Sequence, residues 1–468
     1  MLLKRKTTHE IDMTQGKLSK QLLSFALPFM LTGIIQLLFN AADMVVVGSF
    51  VGETALAAVG STTSLVHLLV NLFIGLSVGT SVAVSRSYGA KDKEYASKVL
   101  HTSIWIGLIA GIAIGVIGIV VARPMLVLMD SPDSVIDMSV EYLTIYFIGS
   151  PFNLVYNFGA AVLRSMGDTK RPLVFLTIAG IMNVIVNLIT VLCFNMGVAG
   201  VAYATITSQA VSAILVMITL IKNRGFISFK FKEFKIYKKA LGEICKLGIP
   251  SGIQSSLFSL SNVIIQSTIN SFGDQVMAAN SAAQNLEGFL FTAGNAITNT
   301  LLTAVGQNRG AKNYERIKKS LQLCLIYVTV LGLISGGLEI LLHKQLLGLY
   351  VSDQTTINIG LNRMLIMCLT YFLCGIMECF TFTLRGLGHS FKPMLIVLIG
   401  TCAFRIFWIY VIFPLNPVVT SIYWSYPISW LTTALVSMTT LFFVLKKVKK
   451  AFTTTQETTP LETEQGVN

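Results

Sequence analysis

The sequence predicts an all-α integral membrane protein with twelve transmembrane helices in two six-helix lobes related by a parallel repeat. Three observations carry that prediction. Of 468 residues, 53% are apolar and 12% charged, roughly half the charged share of a soluble domain. Long apolar runs alternate with short polar gaps, and lysine and arginine concentrate in every second gap. Short motifs from the first half return in the second at a nearly constant spacing.

Composition also excludes. Thirty-seven glycines against eleven prolines fit neither a collagenous chain nor a linker. The formal net charge of +13 would suit a nucleic-acid binder if basic stripes and aromatics lay on a polar domain. Here the cations sit between apolar runs and report topology, so no nucleic-acid partner is expected. The seven cysteines (Cys193, Cys245, Cys324, Cys368, Cys374, Cys379 and Cys402) form no C-x-x-C pair and lie mostly within apolar runs. They are expected as small buried residues, not as disulfides or a zinc site. No G-x-x-x-x-G-K-[ST], H-E-x-x-H or nucleophile-elbow pattern occurs, and no polar segment is large enough for a nucleotide-binding or signalling domain. The expectation is a non-enzymatic transporter without a cofactor or resident metal, driven by a proton, sodium or substrate gradient.

Each crossing needs roughly 20 apolar residues, and only a helix satisfies its own backbone within one segment in lipid. The terminal segment 1–20 (Lys4, Arg5, Lys6) is polar, with no cleavable signal peptide expected. The first span, 21–47, contains Pro28, a source of bending because its backbone lacks a donor, and Asp43 in its outer half. The second, 55–84, contains His67, expected as a hydrogen-bonded interior histidine. The third, 99–121, repeats Gly107, Gly111, Gly115 and Gly118, a stripe suited to close helix packing. The fourth is 138–160. The fifth, 172–194, places Asn183 and Asn187 one turn apart on one face. Their amides could offer oxygens to a cation, bond to Asp43, or bond between helices in the ordinary way. The sixth, 198–221, closes an N-lobe of 21–221.

Segment 222–246 alternates lysines with Phe226, Phe229, Phe231, Phe234 and Tyr237. It is expected to connect the lobes along the lipid headgroups. The C-lobe, 247–445, holds spans at 247–271 (with Pro250), 277–306 (with Glu287), 321–342, 362–383 (with Glu378), 393–413 (with Arg405) and 419–445; a tail of 446–468 follows.

A charge at the bilayer centre costs about 2.5–3.5 kcal/mol, so intramembrane ionisable residues are candidates for function. Asp43 can carry a proton or a metal cation alternately with a cationic substrate. Glu287 and Glu378 are expected either to neutralise a cationic ligand or to pair with Arg405, itself read as a structural counter-ion.

The span count is testable against charge. All but four of the 35 lysines and arginines fall on the side that carries both termini; Arg123, Lys344 and Arg363 fall opposite and Arg405 inside a span. The positive-inside rule then makes both termini cytoplasmic in a plasma (inner) membrane. The repeat agrees. Gly89-Ala90-Lys91 recurs as Gly310-Ala311-Lys312, and Leu163-Arg164-x-x-Gly167 as Leu384-Arg385-x-x-Gly388; Pro28 and Asn40 match Pro250 and Asn262. Six spans per half means both halves enter on the same side, so the axis relating them lies along the membrane normal. Two such bundles leave a cleft that rocking would open to alternate sides.

These residues resemble the multidrug and toxic compound extrusion (MATE) transporters over roughly 18–445. The resemblance rests on Ala-Leu-Pro at 26–28, the Asp43-to-Gly48 stretch, Gly89-Ala90-Lys91, Asn183-x-x-x-Asn187, Gly197-Val198-Ala199-Gly200, Gly306-Gln307-Asn308-x-Gly310-Ala311-Lys312 and Leu384-Arg385-Gly386-x-Gly388. It implies a multi-pass antiporter that exports small-molecule organic cations in exchange for protons or sodium ions. By the same resemblance, Asp43 matches a first-span ion-coupling aspartate, Asn183 a fifth-span asparagine, Thr205 a sixth-span hydroxyl and Pro28 a first-span proline linked to the transport cycle. The sequence departs at Asn187, where aspartate is common, and at Phe39, where tyrosine is frequent. Losing the second carboxylate shifts coupling onto Asp43 alone, or onto Glu287 and Glu378. A single chain is expected to act as a monomer. The alternative is a flippase for a lipid-linked saccharide, which would favour extra helices and a cleft rich in arginine and lysine; the candidates here are mainly acidic.

Overall fold

The computed structural model describes residues 10–129 and 132–457, all helical or loop, with no strand among them. In chain order the rods are α1 (Leu18–Val51), α2 (Glu53–Gly89), α3 (Lys93–Leu128), α4 (133–165), α5 (Lys170–Cys193), α6 (Gly197–Lys222), α7 (Lys238–Asn270), α8 (Asp274–Gly310), α9 (Tyr314–Leu341), α10 (Gln354–Gly386), α11 (Phe391–Leu415) and α12 (Val419–Glu457). Among the described residues, nine of these contain a stretch long and apolar enough to cross a membrane. The other three have physical reasons to miss that test. Helix α4 breaks at Gly149, just before Pro151, and α7 and α8 are studded with serine, asparagine and glutamine.

The repeat is visible in backbone geometry. Lys91 and Lys312 both adopt positive φ (57° and 55°), as do Gly167 and Gly388 (91° and 80°) and Gly52 and Gly273 (115° and 94°). Asp92 caps α3 by accepting the N–H of Tyr95 at 2.9 Å, and Asn313 caps α9 by accepting that of Arg316 at 3.1 Å. Turn chemistry and helix starts therefore recur in step with the sequence motifs.

The glycine stripe of α3 packs on α4: a Cβ on Gly111 would overlap Pro151, and one on Gly115 would press the Phe147 carbonyl. Glycines also join the lobes. A Cβ on Gly75 or Gly79 of α2 would overlap the α7 backbone at Gly252 or Ile244. Further along, Gly89 rests on the Gln307 carbonyl of α8, and Gly310 on the Arg86 carbonyl of α2. These contacts, related by the repeat, seal the lobes at the end where the lysines and arginines cluster, the basic end. At the far end Gly60 of α2 and Gly288 of α8 face open space, and Ser281, Gln284 and Asn285 of α8 are exposed. A polar stripe of that kind would be costly against lipid; it faces the cleft. The lobes are thus in tight contact at the basic end.

The lobes interlock rather than divide cleanly at 221 and 247. The start of α1 (Leu18, Leu22, Phe25) packs with Leu301, Ala304 and Ile317 of the C-lobe, whereas its other end (Val46, Val47) packs with Ala55 and Val201 of the N-lobe. Helix α7 mirrors this. Ala240 and Ile244 pack with Val84 and Leu163, and Ile265 and Ile269 with Ile409 and Ile422. Pro28 and Pro250 sit between the two halves of their helices.

The connector differs from the expectation of a headgroup-lying strip. Helix α7 already begins at Lys238, so only 223–237 links the lobes. Its aromatics pack inward: Phe229 stacks on His101 and Phe234 on Trp105, with centroids 4.9 and 4.5 Å apart, and Tyr88 meets Phe226 edge-on. The reason is a polar anchor: His101 Nε2 accepts the Lys230 N–H at 2.9 Å and Thr102 Oγ1 that of Tyr237 at 3.1 Å. Phe231 alone of the five is mainly exposed, at 72%. The His67 side chain, and the chain ends 1–9 and 458–468, lie outside the described residues.

Candidate functional site

Four helices of the N-lobe converge on Asp43. The carboxylate, half-buried in α1, accepts a 2.6 Å hydrogen bond from Asn187 Nδ2 of α5. Asn183 lies one turn earlier on the same face, and both asparagines are buried. The two amide oxygens, Asn183 Oδ1 and Asn187 Oδ1, have no hydrogen-bond partner. Buried polar atoms are usually satisfied, so two unpaired oxygens one turn apart on the helix that holds the Asp43 carboxylate need a reason. Thr205 of α6 donates to its own helix at Val201 O (3.1 Å) and also bonds the Tyr142 side chain of α4. Phe39 packs against α5 at Gly180, where a Cβ would overlap its ring. Carboxylate, amide and hydroxyl oxygens are the donor set of a hard cation, and a carboxylate with no cationic partner can equally take a proton. No lysine, arginine or histidine pairs with Asp43 among the described residues.

The C-lobe carboxylates divide. Glu287 does not pair with Arg405. It forms a bidentate pair with Arg363, Nε–Oε1 2.7 Å and Nη2–Oε2 2.8 Å, both side chains buried. Arg363 also donates to Asn280 Oδ1 at 2.7 Å and lies over the rings of Tyr423 and Tyr426. Arg363 lies inside its helix rather than at a span boundary, since α10 begins two turns before it, at Gln354. Arg405 pairs with no carboxylate: it donates to Ser429 Oγ (3.0 Å) and is enclosed by Tyr426, Phe258 and Trp430, the nearest ring 4.0 Å away. Its charge rests against π faces. Glu378 accepts a long bond from Thr298 (3.4 Å) and lines a cavity with Leu290, Phe291, Tyr371 and Cys374. That cavity holds about 20 Å³, room for one water and far short of a drug-sized ligand. Glu339 of α9, half-buried at the end of its apolar run where its sequence position gives no sign of a partner, is bonded to Cys368 Sγ at 3.4 Å.

The family model MatE matches residues 28–189 and, a second time, 250–411. The chain belongs to the MatE family. The two matches begin at Pro28 and Pro250, so the family's repeat unit starts where α1 and α7 change lobes. Among curated relatives, the MatE chain is 30% identical over 391 residues to "Probable multidrug resistance protein YpnP" of Bacillus subtilis, covering 83% of this chain and 86% of that one. It is 24% identical to "Probable multidrug resistance protein NorM" of Thermotoga maritima (83% and 84% covered) and 22% to "Multidrug export protein MepA" of Staphylococcus aureus (79% and 82%). Among solved structures, the outward-facing conformation of a multidrug resistance MATE family transporter superposes with a TM-score of 0.88 at 21% identity, covering 95% of this chain and 100% of that one. A transporter from Pyrococcus furiosus gives the same values. These establish a two-lobe, multi-pass membrane transporter rather than an enzyme.

Proposed function

We propose that this MatE transporter exports bulky organic cations in exchange for protons or sodium ions, with Asp43 as the group both passengers share. On this reading the basic end faces the cytoplasm of the plasma membrane, as the distribution of lysine and arginine favours, and the cleft between the lobes opens to the outside. The observation that supports the reading is the Asp43 carboxylate held by Asn187, on a helix face that carries two unpaired amide oxygens, those of Asn187 and Asn183. A cation or proton entering from the far end neutralises Asp43 and displaces an organic cation; rocking then returns the site to the cytoplasm. Asn183, Asn187 and Thr205 orient the carboxylate and supply oxygens, while Pro28 marks where α1 bends as the lobes move. In the C-lobe, Glu378 and Glu339 are carboxylates left to attract a cation, since Glu287 is committed to Arg363. The relatives' names, multidrug resistance and multidrug export, favour small-molecule drugs over a lipid-linked saccharide.

Replacing Asp43 by Asn tests this directly. In an efflux-deficient host, Asp43→Asn is expected to abolish resistance to cationic drugs at unchanged expression. Full resistance in that variant removes Asp43 from the mechanism.

A further inference from the structure

Residues 10–17, ahead of α1, look like a polar tail in sequence, yet they are built into the junction of the two lobes. Met13 is fully buried, 0% exposed. Its N–H donates to Gln307 Oε1 (2.9 Å), and its carbonyl accepts from Asn308 Nδ2 and Arg316 Nε, both at 3.1 Å. Arg316 also donates to the carbonyls of Gly16 and Gln15, at 3.1 Å each, and to Gln21 Oε1 at 3.2 Å. All three receptors belong to the C-lobe, at the end of α8 and the start of α9. Gln307 and Asn308 are wholly buried, and buried amides that lose their partners are costly, so this seat is the costlier side to vacate.

The other flank is held lightly, and by the other lobe. Asp12 accepts from Lys91 Nζ at 2.8 Å, just past α2, and Glu10 Oε1 accepts the Phe226 N–H at 3.1 Å. The Ile11 backbone lies against Gly167, where a Cβ would overlap it. Gln307 completes the bridge by donating to Ser165 O of α4 at 3.0 Å. The segment is thus seated on the C-lobe through Met13 to Gly16 and hooked over the N-lobe through residues 10–12, beside the crossing of Gly89 and Gly310. Opening the cleft to the basic end must part that crossing, and the hook with it.

We infer that residues 10–17 are a latch: anchored by Gln307, Asn308 and Arg316, they hold the basic end shut through Asp12–Lys91 and Glu10–Phe226, and they release in every transport cycle. The inference rests on the alternating-access reading, but its test needs no substrate. Spin labels at Lys93→Cys and Lys318→Cys, both exposed positions, in a Cys193→Ser, Cys245→Ser background, report the separation of the lobes at the basic end in liposomes. One short distance is expected to dominate. Glu10→Ala with Asp12→Ala is expected to raise the long-distance fraction about tenfold, the scale of one charged hydrogen bond plus an exposed ion pair. Arg316→Ala, which loosens the anchor, should do the same, and the exchange Asp12→Lys with Lys91→Asp should restore the short distance. An unchanged distance distribution in the hook and anchor variants overturns the latch. Failure of the exchange reading shows instead as absent gradient-driven export, with distances still responding to the hook.

Discussion

At the scale of single residues, the distinction that matters is between charges already committed and charges still available. Glu287 and Arg363 are committed to each other. Breaking a buried pair from one side strands a buried charge, a loss on the order of 3–5 kcal/mol. Glu287→Gln is therefore expected to lower the thermal midpoint in detergent steeply, and Glu287→Gln with Arg363→Met to recover most of the loss. A Glu287→Gln protein as stable as the parent but weak for cationic drugs alone would return Glu287 to the substrate site. Asp43 is the opposite case, and Asp43→Asn is expected to cost little stability while stopping exchange. At the basic end, burial pushes the Asp12 carboxyl up, but Lys91 and Thr14 outweigh it and bring it down to about 2, from an ordinary 3.8. A lowered carboxyl contributes stability above its unfolded value and loses it only as pH falls through the folded one. Lys91, Arg316, Glu10 and Tyr88 surround it. The lobe separation read from positions 93 and 318 is accordingly expected to stay constant between about pH 5 and 8; a change there would place a titrating group in the latch.

At the scale of elements, the crossing of α2 and α8 is the tightest demand on the sequence. Gly89 and Gly310 each meet a carbonyl of the other helix, so a methyl group at either position forces backbones apart. Gly89→Ala with Gly310→Ala is expected to destabilise the sealed basic end. A cysteine at Asn285, exposed in the cleft, should then react severalfold more slowly with an impermeant thiol reagent added on the far side. Unchanged reactivity would show that the seal does not depend on that contact. The spans were legible because hydropathy and charge placement speak about each stretch separately, and the repeat because paired glycines, caps and prolines recur in register. What escaped were contacts across elements. Arg363 read as the edge of a span because its partner, Glu287, is on another helix. The connector's aromatics read as lipid-facing because nothing local announces His101 and Thr102 as their anchors. Tyr142 looked like any aromatic in an apolar run, and residues 10–17 like a loose tail, since their receptors lie some three hundred positions away.

At the scale of the whole molecule, two interlocked lobes enclose a cleft sealed at one end, with Asp43 in one lobe and Glu378 in the other. On the proposed reading, ion exchange supplies the work. One charge moved through 100 mV yields about 2.3 kcal/mol, enough at about 1.4 kcal/mol per tenfold for a substrate gradient of roughly forty-fold. One ion per cation suffices. The most direct measurement is export of a fluorescent organic cation from vesicles bearing the parent or Asp43→Asn, with proton and sodium gradients imposed one at a time. The parent is expected to accumulate the dye against its gradient with at least one of the two ions, and Asp43→Asn with neither. Gradient-driven movement that survives in Asp43→Asn would contradict the claim that this carboxylate is where the two passengers trade places.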